Sequence, residues 1–539
     1  MNILAVIPAR GGSKGIPRKN IRLMNNKPLI SYSINNAKKC SLITDVVVTT
    51  DDDEIANIAK FYGAQIIKRA DELAGDAVTL DPVIYDATIK MEEKLNKKYD
   101  VVITLQATSP LLKSETLNKA VEEFCQSNYD TFISATNQPH LSWGKNESGF
   151  YPLYEKRLNR QQLPANYLEA GAFLITKREY VKENSRMGQA ISVYEIPEEQ
   201  ATDIDNISDW IVCESMLKRK KIVLRCDGHK KLGMGHIYHC LTLAYNLTGN
   251  EVMLVTNENY QEGLEKIKSS NLKYTTIKDE EDFFEFLKKY QPDIVVNDCL
   301  DTTAEYIKKI KEMVNRVVTI EDLGEGTRYA DAVINALYEG KESSKNVYSG
   351  EKYVSLREEF LINNPKEFSS EVNNVLVLFG GTDPSNLTQK IYNVIKKSNY
   401  SKINFTFTLG IGYNHDEQII DIPEKNIKVL KNVKNISEYM KNADIAFTSQ
   451  GRTIYELAVL GVPSIVLAQN EREQLHTFAQ MDNGFLNLGL GKDVSEEVIK
   501  NTFDWLVNTP YIRREMRELM LKNELKNGLK NEIKIILNE

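Results

Sequence analysis

A loop rich in glycine and basic residues follows the first apolar run of the sequence. The run is residues 3–7, and the loop continues to residue 20 with Arg10, Lys14 and Lys19 among its cations. Glycines let backbone N–H groups approach an anion closely, and the cations neutralise its charge. Because α/β sheets hold nucleotides at the carboxyl ends of their strands, the pattern predicts a nucleotide phosphate site. The alternative is an ordinary strand-to-helix turn with solvated basic residues, since the spacing matches neither a Walker loop nor G-x-G-x-x-G.

Two acidic residues, Asp203 and Asp205, stand one residue apart in the short block D-I-D. On an extended backbone both side chains would lie on the same face, so two hard oxygen ligands could share a Mg²⁺ ion. A solvated turn is the first interpretation of such a pair taken by itself.

A histidine follows a second glycine-rich turn. Gly233 and Gly235 permit a tight turn, and His236 falls in the first turn of the helix that follows. A helix N-terminus favours the neutral imidazole, which can accept a proton. A structural role is the commoner one for an isolated histidine. A zinc pair with His239 is the other alternative, but the sequence presents no third ligand.

The elements that must position these residues alternate between strands and helices. Strands are predicted at residues 3–7, 45–50, 64–68 and 100–105, with helices between them, which is typical of a parallel sheet covered on both faces. The pattern restarts near residue 222 and again near residue 374. We therefore predict an α/β chain with domains at 1–218, 222–360 and 371–539, the last ending in a charged helical tail.

Length and composition restrict the class of protein. A chain of 539 residues is too long for one core, and its 42% hydrophobic and 27% charged residues indicate a globular protein. The net charge of -7 argues against nucleic-acid binding. No run approaches the roughly 18 apolar residues of a membrane span, and no signal peptide is recognisable. Six cysteines without a C-x-x-C pair favour reduced thiols, so we expect a cytoplasmic protein.

The first 210 residues resemble a known family. The blocks A-R-G-G-S-K-G-I-P-R-K-N, K-R-A-D-E-L, L-Q-A-T-S-P-L, R-Q-Q-L-P, E-A-G-A-F and D-I-D occur in that order. Together they resemble the CMP-sialic acid synthetase family, the cytidylyltransferases for nonulosonic acids. The resemblance implies a Rossmann-like, GT-A-like nucleotidyltransferase domain. It also implies transfer of CMP from CTP to a nonulosonic acid with release of pyrophosphate, and a homodimer formed through this domain.

The resemblance assigns roles to particular residues. Those that would hold the CTP phosphates and ribose are Arg10, Ser13, Lys14, Lys19 and Asn20, with Lys19 and Arg10 as the catalytic cations. Those that would contact the acidic sugar are Gln106, Arg160 and Gln162. Asp203 and Asp205 would bind Mg²⁺. With the other blocks in register, this interpretation of the pair is preferred over a solvated turn. Many family members have Asn before the Gly-Ala of this block and Tyr after it, whereas this chain has Ala170 and Phe173 in the block at 169–173. The departure implies an acceptor that differs from N-acetylneuraminate.

The second half resembles a different family. G-M-G-H-I, G-G-T-D-P-S-N and S-Q-G-R-T-I-Y-E-L-A-V-L-G-V-P are similar to the UDP-sugar hydrolase of pseudaminic acid biosynthesis, which has the two-lobed GT-B fold. The resemblance makes His236 the base that activates water, with Asp298 orienting the water or the sugar. The residues that would contact the diphosphate or the uridine are Gly380, Gly381, Thr382, Asn386, Ser449, Gly451, Thr453 and Glu456. Gln450 and Arg452 replace smaller residues of the family pattern.

The two resemblances together predict a bifunctional enzyme. One half would make a CMP-activated sialic, pseudaminic or legionaminic type of acid. The other would hydrolyse a UDP-linked 2,4-diacetamido-2,4,6-trideoxyhexose to UDP and the free sugar. Two alternatives keep the cytidylyltransferase but make the second half a GT-B glycosyltransferase or a non-catalytic module.

Overall fold

The chain forms two compact units. The computed structural model describes residues 1–13, 15–75, 77–229, 232–338, 346–398, 400–410, 412–415 and 425–539. Contacts between residues divide the chain between Arg219 and Lys220, giving the units Met1–Arg219 and Lys220–Glu539. Within the described residues, every helix is too short or too polar to cross a membrane.

The first unit is built on a seven-stranded sheet with helices on both faces. The sheet order is β11-β7-β10-β6-β1-β4-β5, and β2–β3 and β8–β9 form separate hairpins. The strands are β1 (Ile3–Pro8), β2 (Leu23–Met24), β3 (Lys27–Pro28), β4 (Asp45–Thr50), β5 (Gln65–Lys68), β6 (Val101–Leu105), β7 (Thr131–Asn137), β8 (Trp143–Asn146), β9 (Gly149–Pro152), β10 (Tyr167–Lys177) and β11 (Ile191–Glu195). The helices are α1 (Leu29–Lys39), α2 (Asp53–Phe61), α3 (Leu80–Leu95), α4 (Ser114–Gln126) and α5 (Ile207–Lys218).

Strand β1 lies at the centre and is buried on both faces. Ile3, Ala5 and Ile7 pack into the core on one side of the sheet, whereas Leu4 and Val6 pack into the core on the other. Burying each such side chain stabilises the fold by about 1.5–3 kcal/mol. The apolar run therefore anchors the loop that follows it.

The sheet is mixed, which corrects the prediction of a purely parallel sheet. Strand β10 runs antiparallel to both β6 and β7. Its pairing with β7 shifts register between Glu169 and Leu174, and Gly171 within this interval has a φ of +66°. The sequence E-A-G-A-F lacks the alternation of a half-buried strand, so periodicity gave no sign of it.

The second unit contains two lobes. The N-lobe has the parallel order β14-β13-β12-β15-β16-β17-β18, and the C-lobe has the parallel order β21-β20-β19-β22-β23-β24. N-lobe strands are β12 (Lys221–Cys226), β13 (Glu251–Asn257), β14 (Tyr274–Ile277), β15 (Ile294–Asp298), β16 (Arg316–Ile320), β17 (Ala332–Asn335) and β18 (Val347–Ser349). C-lobe strands are β19 (Asn374–Leu378), β20 (Asn404–Leu409), β21 (Ile427–Lys431), β22 (Ile445–Thr448), β23 (Ser464–Ala468) and β24 (Phe485–Leu490).

Helices cover both lobes. In the N-lobe these are α6 (Gly235–Asn246), α7 (Gln261–Lys268), α8 (Glu280–Tyr290) and α9 (Ala304–Lys311), and α10 (Glu358–Ile362) follows. In the C-lobe these are α11 (Leu387–Lys396), α12 (Ile436–Asn442), α13 (Thr453–Leu460), α14 (Glu496–Asn508) and α15 (Pro510–Leu521). The predicted α/β class with a two-lobed second region is confirmed.

The last helix, α16 (Gly528–Leu537), returns to the N-lobe. Its Leu529 and Ile536 join the core that surrounds β12. The guanidinium of Arg316 donates to the carbonyl oxygens of Ile535 and Ile536 at 2.8 and 3.2 Å. Because Arg316 begins β16, the charged tail ends as a packed element of the opposite lobe.

Candidate active sites

A cavity of about 390 Å³ opens beside the loop that follows β1. Its walls come from the carboxyl ends of β1 and β6, from the segment after β5 and from the D-I-D block. The predicted residues that line it are Arg10, Ser13, Lys19, Asn20, Gln106 and Asp205. Lys14, also predicted to bind CTP, lies outside the described residues.

The loop is braced by its own side chains. The Asn20 amide donates to the carbonyl oxygen of Arg10 at 3.0 Å, and the Asn20 side chain is buried. The Lys19 ammonium donates to the carbonyl oxygen of Ile204 at 2.6 Å. Since Ile204 separates Asp203 from Asp205, this bond fixes a cation beside the acidic pair.

The acidic pair has the features of a divalent-metal site. Asp203 Oδ1 is buried and has no hydrogen-bond partner within the described residues. Burial raises the pKa of Asp203, and the charge of Asp205 raises it further. A divalent cation would satisfy the orphaned oxygen and stabilise the ionised carboxylate, because hard oxygen ligands suit such ions. The residues present therefore fit a divalent metal.

Gly171 allows the sugar-binding candidate Gln106 and the metal candidate Asp203 to approach each other. A Cβ atom at Gly171 would lie 2.9 Å from Asp203 Oδ2 and 3.4 Å from Gln106 Nε2. The positive φ also disfavours any residue with a side chain. The E-A-G-A-F block thus lies between the predicted sugar-binding residue and the predicted metal ligand.

Two predicted sugar contacts lie elsewhere. Arg160 and Gln162 are exposed residues of a short 3₁₀ helix, and neither lines the cavity. The Arg160 guanidinium lies 3.7 Å from Glu198. Within its own unit, the structure does not bring these two residues to the nucleotide cavity.

Arg69 lines the same cavity and was given no role from the sequence. Its guanidinium donates to the carbonyl oxygen of Thr49 at 2.8 Å, while its Nε is buried without a partner within the described residues. Burial lowers the pKa of Arg69. A buried cation with a free donor is suited to an anionic or carbonyl-bearing ligand. The K-R-A-D-E-L block, which contains Arg69, was the sequence feature from which this role could have been predicted.

A second cavity, of about 710 Å³, lies between the two lobes of the second unit. His236 lines it from the N-terminus of α6. Predicted residues that line it from the C-lobe are Gly380, Gly381, Thr382, Ser449, Gly451, Thr453 and Glu456. Gly380 has a φ of +79°, a backbone conformation that glycine adopts without strain after β19.

His236 is held by a buried carboxylate. Its Nδ1 lies 2.6 Å from Asp298 Oδ1, and the imidazoles of His236 and His239 hold the pKa of Asp298 well below its usual range despite its burial. The ionised Asp298 accepts a hydrogen bond from Nδ1–H, so Nε2 is the ring nitrogen that remains for a ligand. This is the arrangement of an oriented general base.

Asp298 stands behind His236 and does not line the cavity. Its second oxygen lies 2.6 Å from His239 Nδ1, and the residue is fully buried. The geometry therefore does not support the predicted role of Asp298 in orienting the water or the sugar. It places Asp298 to orient His236.

Asn386 does not line the cavity either. Its side-chain oxygen accepts a hydrogen bond from the Tyr413 hydroxyl at 2.9 Å, and it precedes α11 with a φ of +48°. The neighbouring Asp383 accepts the backbone N–H groups of Leu387 and Thr388. The side chains of Asp383 and Asn386 therefore shape the loop, while the cavity receives Gly380–Thr382.

Glu456, the predicted ribose acceptor, is paired with an arginine that the sequence did not reveal. Its Oε1 accepts from Arg357 Nε at 3.0 Å. Burial raises the pKa of Glu456, and Arg357 partly offsets this. One carboxylate oxygen remains for a ligand hydroxyl. No motif surrounds Arg357, so only the structure could identify it.

Glu321 is a further missed residue, and it lines the cavity near His236. It is buried with a φ of +53°, and burial raises its pKa to about 7 although Arg452 opposes this. Arg452 of the C-lobe donates to its Oε1 at 3.1 Å. The arginine that departs from the family pattern therefore ties the lobes together. Arg472 does the same through Asp301, at 2.8 Å.

Comparisons with known proteins agree with this division. The Cytidylyltransferase family matches residues 4–211, and the Glycosyltransferase family 28 C-terminal domain matches residues 375–501. MurG from Acinetobacter baumannii has a similar structure with a TM-score of 0.45 and 15% identity, covering 59% of this chain and 100% of that one.

Three relatives differ in how much of the chain they share. An uncharacterized protein of Methanocaldococcus jannaschii is 30% identical over 276 residues, or 47% of this chain, which in turn spans 57% of that relative. The pseudaminic acid cytidylyltransferase of Campylobacter jejuni is 35% identical over 216 residues, covering 39% of this chain and 93% of that protein.

The third relative extends over both units. A Helicobacter pylori protein, 24% identical over 530 residues and covered to 94% in each chain, is named pseudaminic acid cytidylyltransferase and UDP-2,4-diacetamido-2,4,6-trideoxy-beta-L-altropyranose hydrolase. Both resemblances drawn from the sequence are confirmed, as is the pairing of the two enzyme types in one chain. Through its first unit the chain belongs to the cytidylyltransferase family, and its second unit carries a glycosyltransferase family 28 C-terminal domain.

Proposed function

We propose that the first unit transfers CMP from CTP to a nonulosonic acid of the sialic, pseudaminic or legionaminic type. The observation that carries this is the bond from the Lys19 ammonium to the carbonyl oxygen of Ile204, the residue that separates two acidic residues suited to a divalent metal. The acceptor hydroxyl attacks the α-phosphorus, the bond to the β-phosphate breaks, and pyrophosphate leaves with the electron pair. One proton is released to solvent.

The residues of this chain would align and neutralise the reactants. Lys19 and Arg10 would stabilise charge on the phosphoryl oxygens, and Gln106 would hold the sugar. A Mg²⁺ ion bound by Asp203 and Asp205 would supply further charge neutralisation on the triphosphate. The proposal places the reaction in the cytoplasm, where CTP is made.

We infer that the second unit hydrolyses a UDP-linked 2,4-diacetamido-2,4,6-trideoxyhexose. The supporting observation is the oriented His236–Asp298 pair facing the cavity between the lobes. His236 Nε2 would take a proton from water as the water oxygen attacks the sugar carbon that bears the diphosphate. The bond between sugar and diphosphate breaks, and UDP leaves with the electron pair. Gly380, Gly381 and Thr382 would meet the diphosphate, and Glu456 the ribose hydroxyls.

A product assay tests both proposals. The full chain is incubated with CTP, Mg²⁺ and a panel of nonulosonic acids, and separately with the UDP-sugar, and the products are identified by mass spectrometry. We expect a CMP-linked acid with pyrophosphate in the first reaction, and UDP with the free sugar in the second. A glycosylated acceptor in place of free sugar would establish the glycosyltransferase alternative, and inertness toward UDP-sugars would favour a non-catalytic module.

We also propose that the first unit forms a homodimer through the β8–β9 hairpin and the start of β10. Phe150 is 72% exposed, and Trp143 and Leu153 are 54% and 62% exposed. Tyr167 and Leu168, at the start of β10, are each 47% exposed. Such a patch is costly in water and is suited to a second copy of itself.

Light scattering should therefore give twice the chain mass of 61.4 kDa for the purified protein. Phe150→Asp is expected to give the monomer mass, because a buried unpaired charge would disrupt the interface. Phe61→Asp is the matched control, since Phe61 is 84% exposed on α2, away from the hairpin. A monomeric wild-type chain would refute the dimer, as would a Phe150→Asp dimer.

A further inference from the structure

Four buried ionisable side chains form a continuous row behind the second cavity. His236 Nδ1 lies 2.6 Å from Asp298 Oδ1, and His239 Nδ1 lies 2.6 Å from Asp298 Oδ2. His239 Nε2 then lies 2.9 Å from Glu532 Oε1. His236 and His239 both line the cavity, but His236 is the more accessible, with 15% of its side chain exposed, while the side chains of Asp298, His239 and Glu532 are at most 1% exposed.

His239 faces a carboxylate on each of its two ring nitrogens. A neutral imidazole that donates to Asp298 would place the lone pair of its other nitrogen beside a buried carboxylate oxygen. An imidazolium donates to Asp298 and brings its positive charge close to both carboxylates, although Nε2 makes no hydrogen bond within the described residues. Glu532 makes no other ion pair within the described residues, although the buried Arg452 interacts with it electrostatically, and its Oε2 is unsatisfied there. The two carboxylates beside His239 therefore favour a positive charge on its imidazole.

The electrostatic environment agrees with this protonation state. Burial and the nearby Arg452 lower the pKa of His239, but Glu532 and Asp298 outweigh them and raise it to about 9. The other groups that face the row are Glu321 on the N-lobe side and the Cys240 thiol, which lies 3.6 Å from Asp298 Oδ2. The positive charge at His239 therefore persists through neutral pH.

We propose that His239 is a positioning residue for the second site, a permanent imidazolium that, together with Glu532, sets how strongly Asp298 attracts the proton taken up by His236. The inference rests on the hydrolase proposed above. A positive His239 offsets part of the negative charge that Asp298 presents to His236. Glu532 prevents His239 from cancelling Asp298 completely.

The row also connects the site to the end of the described chain. Glu532 belongs to α16, which follows the C-lobe helices but packs on the N-lobe core. Asn531 Nδ2 donates to the carbonyl oxygen of Lys352 at 2.9 Å and helps to hold the helix in register. The tail therefore contributes a buried carboxylate to a site some 300 residues earlier in sequence, at His236 and His239.

The decisive variant is Glu532→Gln, which keeps the shape and removes one negative charge. His236 becomes harder to protonate, so the acidic limb of the hydrolase pH profile for kcat/KM should move to lower pH by about one unit. Glu515→Gln, on the exposed face of α15, is the matched control and should leave the limb in place. An unmoved limb in folded Glu532→Gln would overturn the proposal.

His239 variants provide a test of opposite sign. His239→Gln removes the positive charge nearest to Asp298, so the acidic limb should move to higher pH, whether or not Glu532 then takes up a proton. His239→Arg retains a cation with donors for both carboxylates and should restore the limb toward its wild-type position. Shifts of the same sign in Glu532→Gln and His239→Gln would contradict the charge argument.

Nuclear magnetic resonance tests the charge without relying on activity. With ¹⁵N-labelled histidine in the full chain, both ring nitrogens of His239 should carry protons from pH 6 to about pH 8, because this range lies below the raised pKa of about 9. Neutral His239 signals at pH 7 would overturn the inference. If His239 is charged but the wild-type chain does not hydrolyse UDP-sugars, the proposed function fails while the charged row stands.

Discussion

Replacing His236 with alanine is expected to lower UDP-sugar hydrolysis by about 10²–10⁴-fold, the usual contribution of a general base. The reason is geometric. Asp298 fixes the protonated nitrogen of His236 at 2.6 Å and leaves the other nitrogen for water in the cavity. The measurement is the initial rate of UDP release from the UDP-sugar, with substrate binding followed separately. We expect the loss mainly in kcat, since alanine removes proton transfer rather than the diphosphate and ribose contacts.

Two controls make the His236 result specific. His140→Ala makes the same substitution at an exposed histidine of the first unit and should leave hydrolysis unchanged. Pyrophosphate release from CTP by His236→Ala should equal that of the wild-type chain, because the substitution lies in the other unit. Full hydrolysis by His236→Ala would remove this residue as the base.

Replacing Asp205 with alanine is expected to lower the cytidylyltransferase rate by at least about 10²-fold. The substitution removes one of two hard oxygen ligands and leaves Asp203 with an orphaned buried oxygen. The remaining activity should require more Mg²⁺, since one carboxylate binds the ion more weakly than two. Pyrophosphate release measured over a series of Mg²⁺ concentrations tests both effects.

The matched control for Asp205 is Asp482→Ala, at an exposed position of the second unit. It should preserve pyrophosphate release at every Mg²⁺ concentration. UDP release should also persist in Asp205→Ala. Loss of both activities in a folded Asp205→Ala protein would refute the division into two independent sites.

Most of the parallel core could be predicted from the sequence because it is buried on both faces. Strands such as β4 and β6 consist mostly of buried β-branched residues, and they appear where the pattern indicates. Strand β10 was missed because its pairing partners are distant in sequence and Gly171 interrupts its periodicity.

Site residues could be predicted where one sequence motif supplies several of them. Ion pairs between residues that are distant in sequence could not. The glycine-rich loops line the two cavities, and the D-I-D block reaches the first cavity through Asp205. The pairs Arg357–Glu456 and Arg452–Glu321 join residues 99 and 131 positions apart, and no local pattern marks them. A matching motif is also not sufficient. Arg160 and Gln162 match the family motif, yet they are exposed and do not line the cavity of their own unit.

The return of α16 to the N-lobe has a consequence for the order of biosynthesis. Domains generally fold as they emerge from the ribosome, N-terminal first. The first unit ends at Arg219 and can close its sheet early. The core around β12 stays incomplete until Leu529 and Ile536 have been made. A nascent chain should therefore gain the first fold well before the second, and truncation before residue 528 should spare CTP turnover while leaving the N-lobe prone to proteolysis.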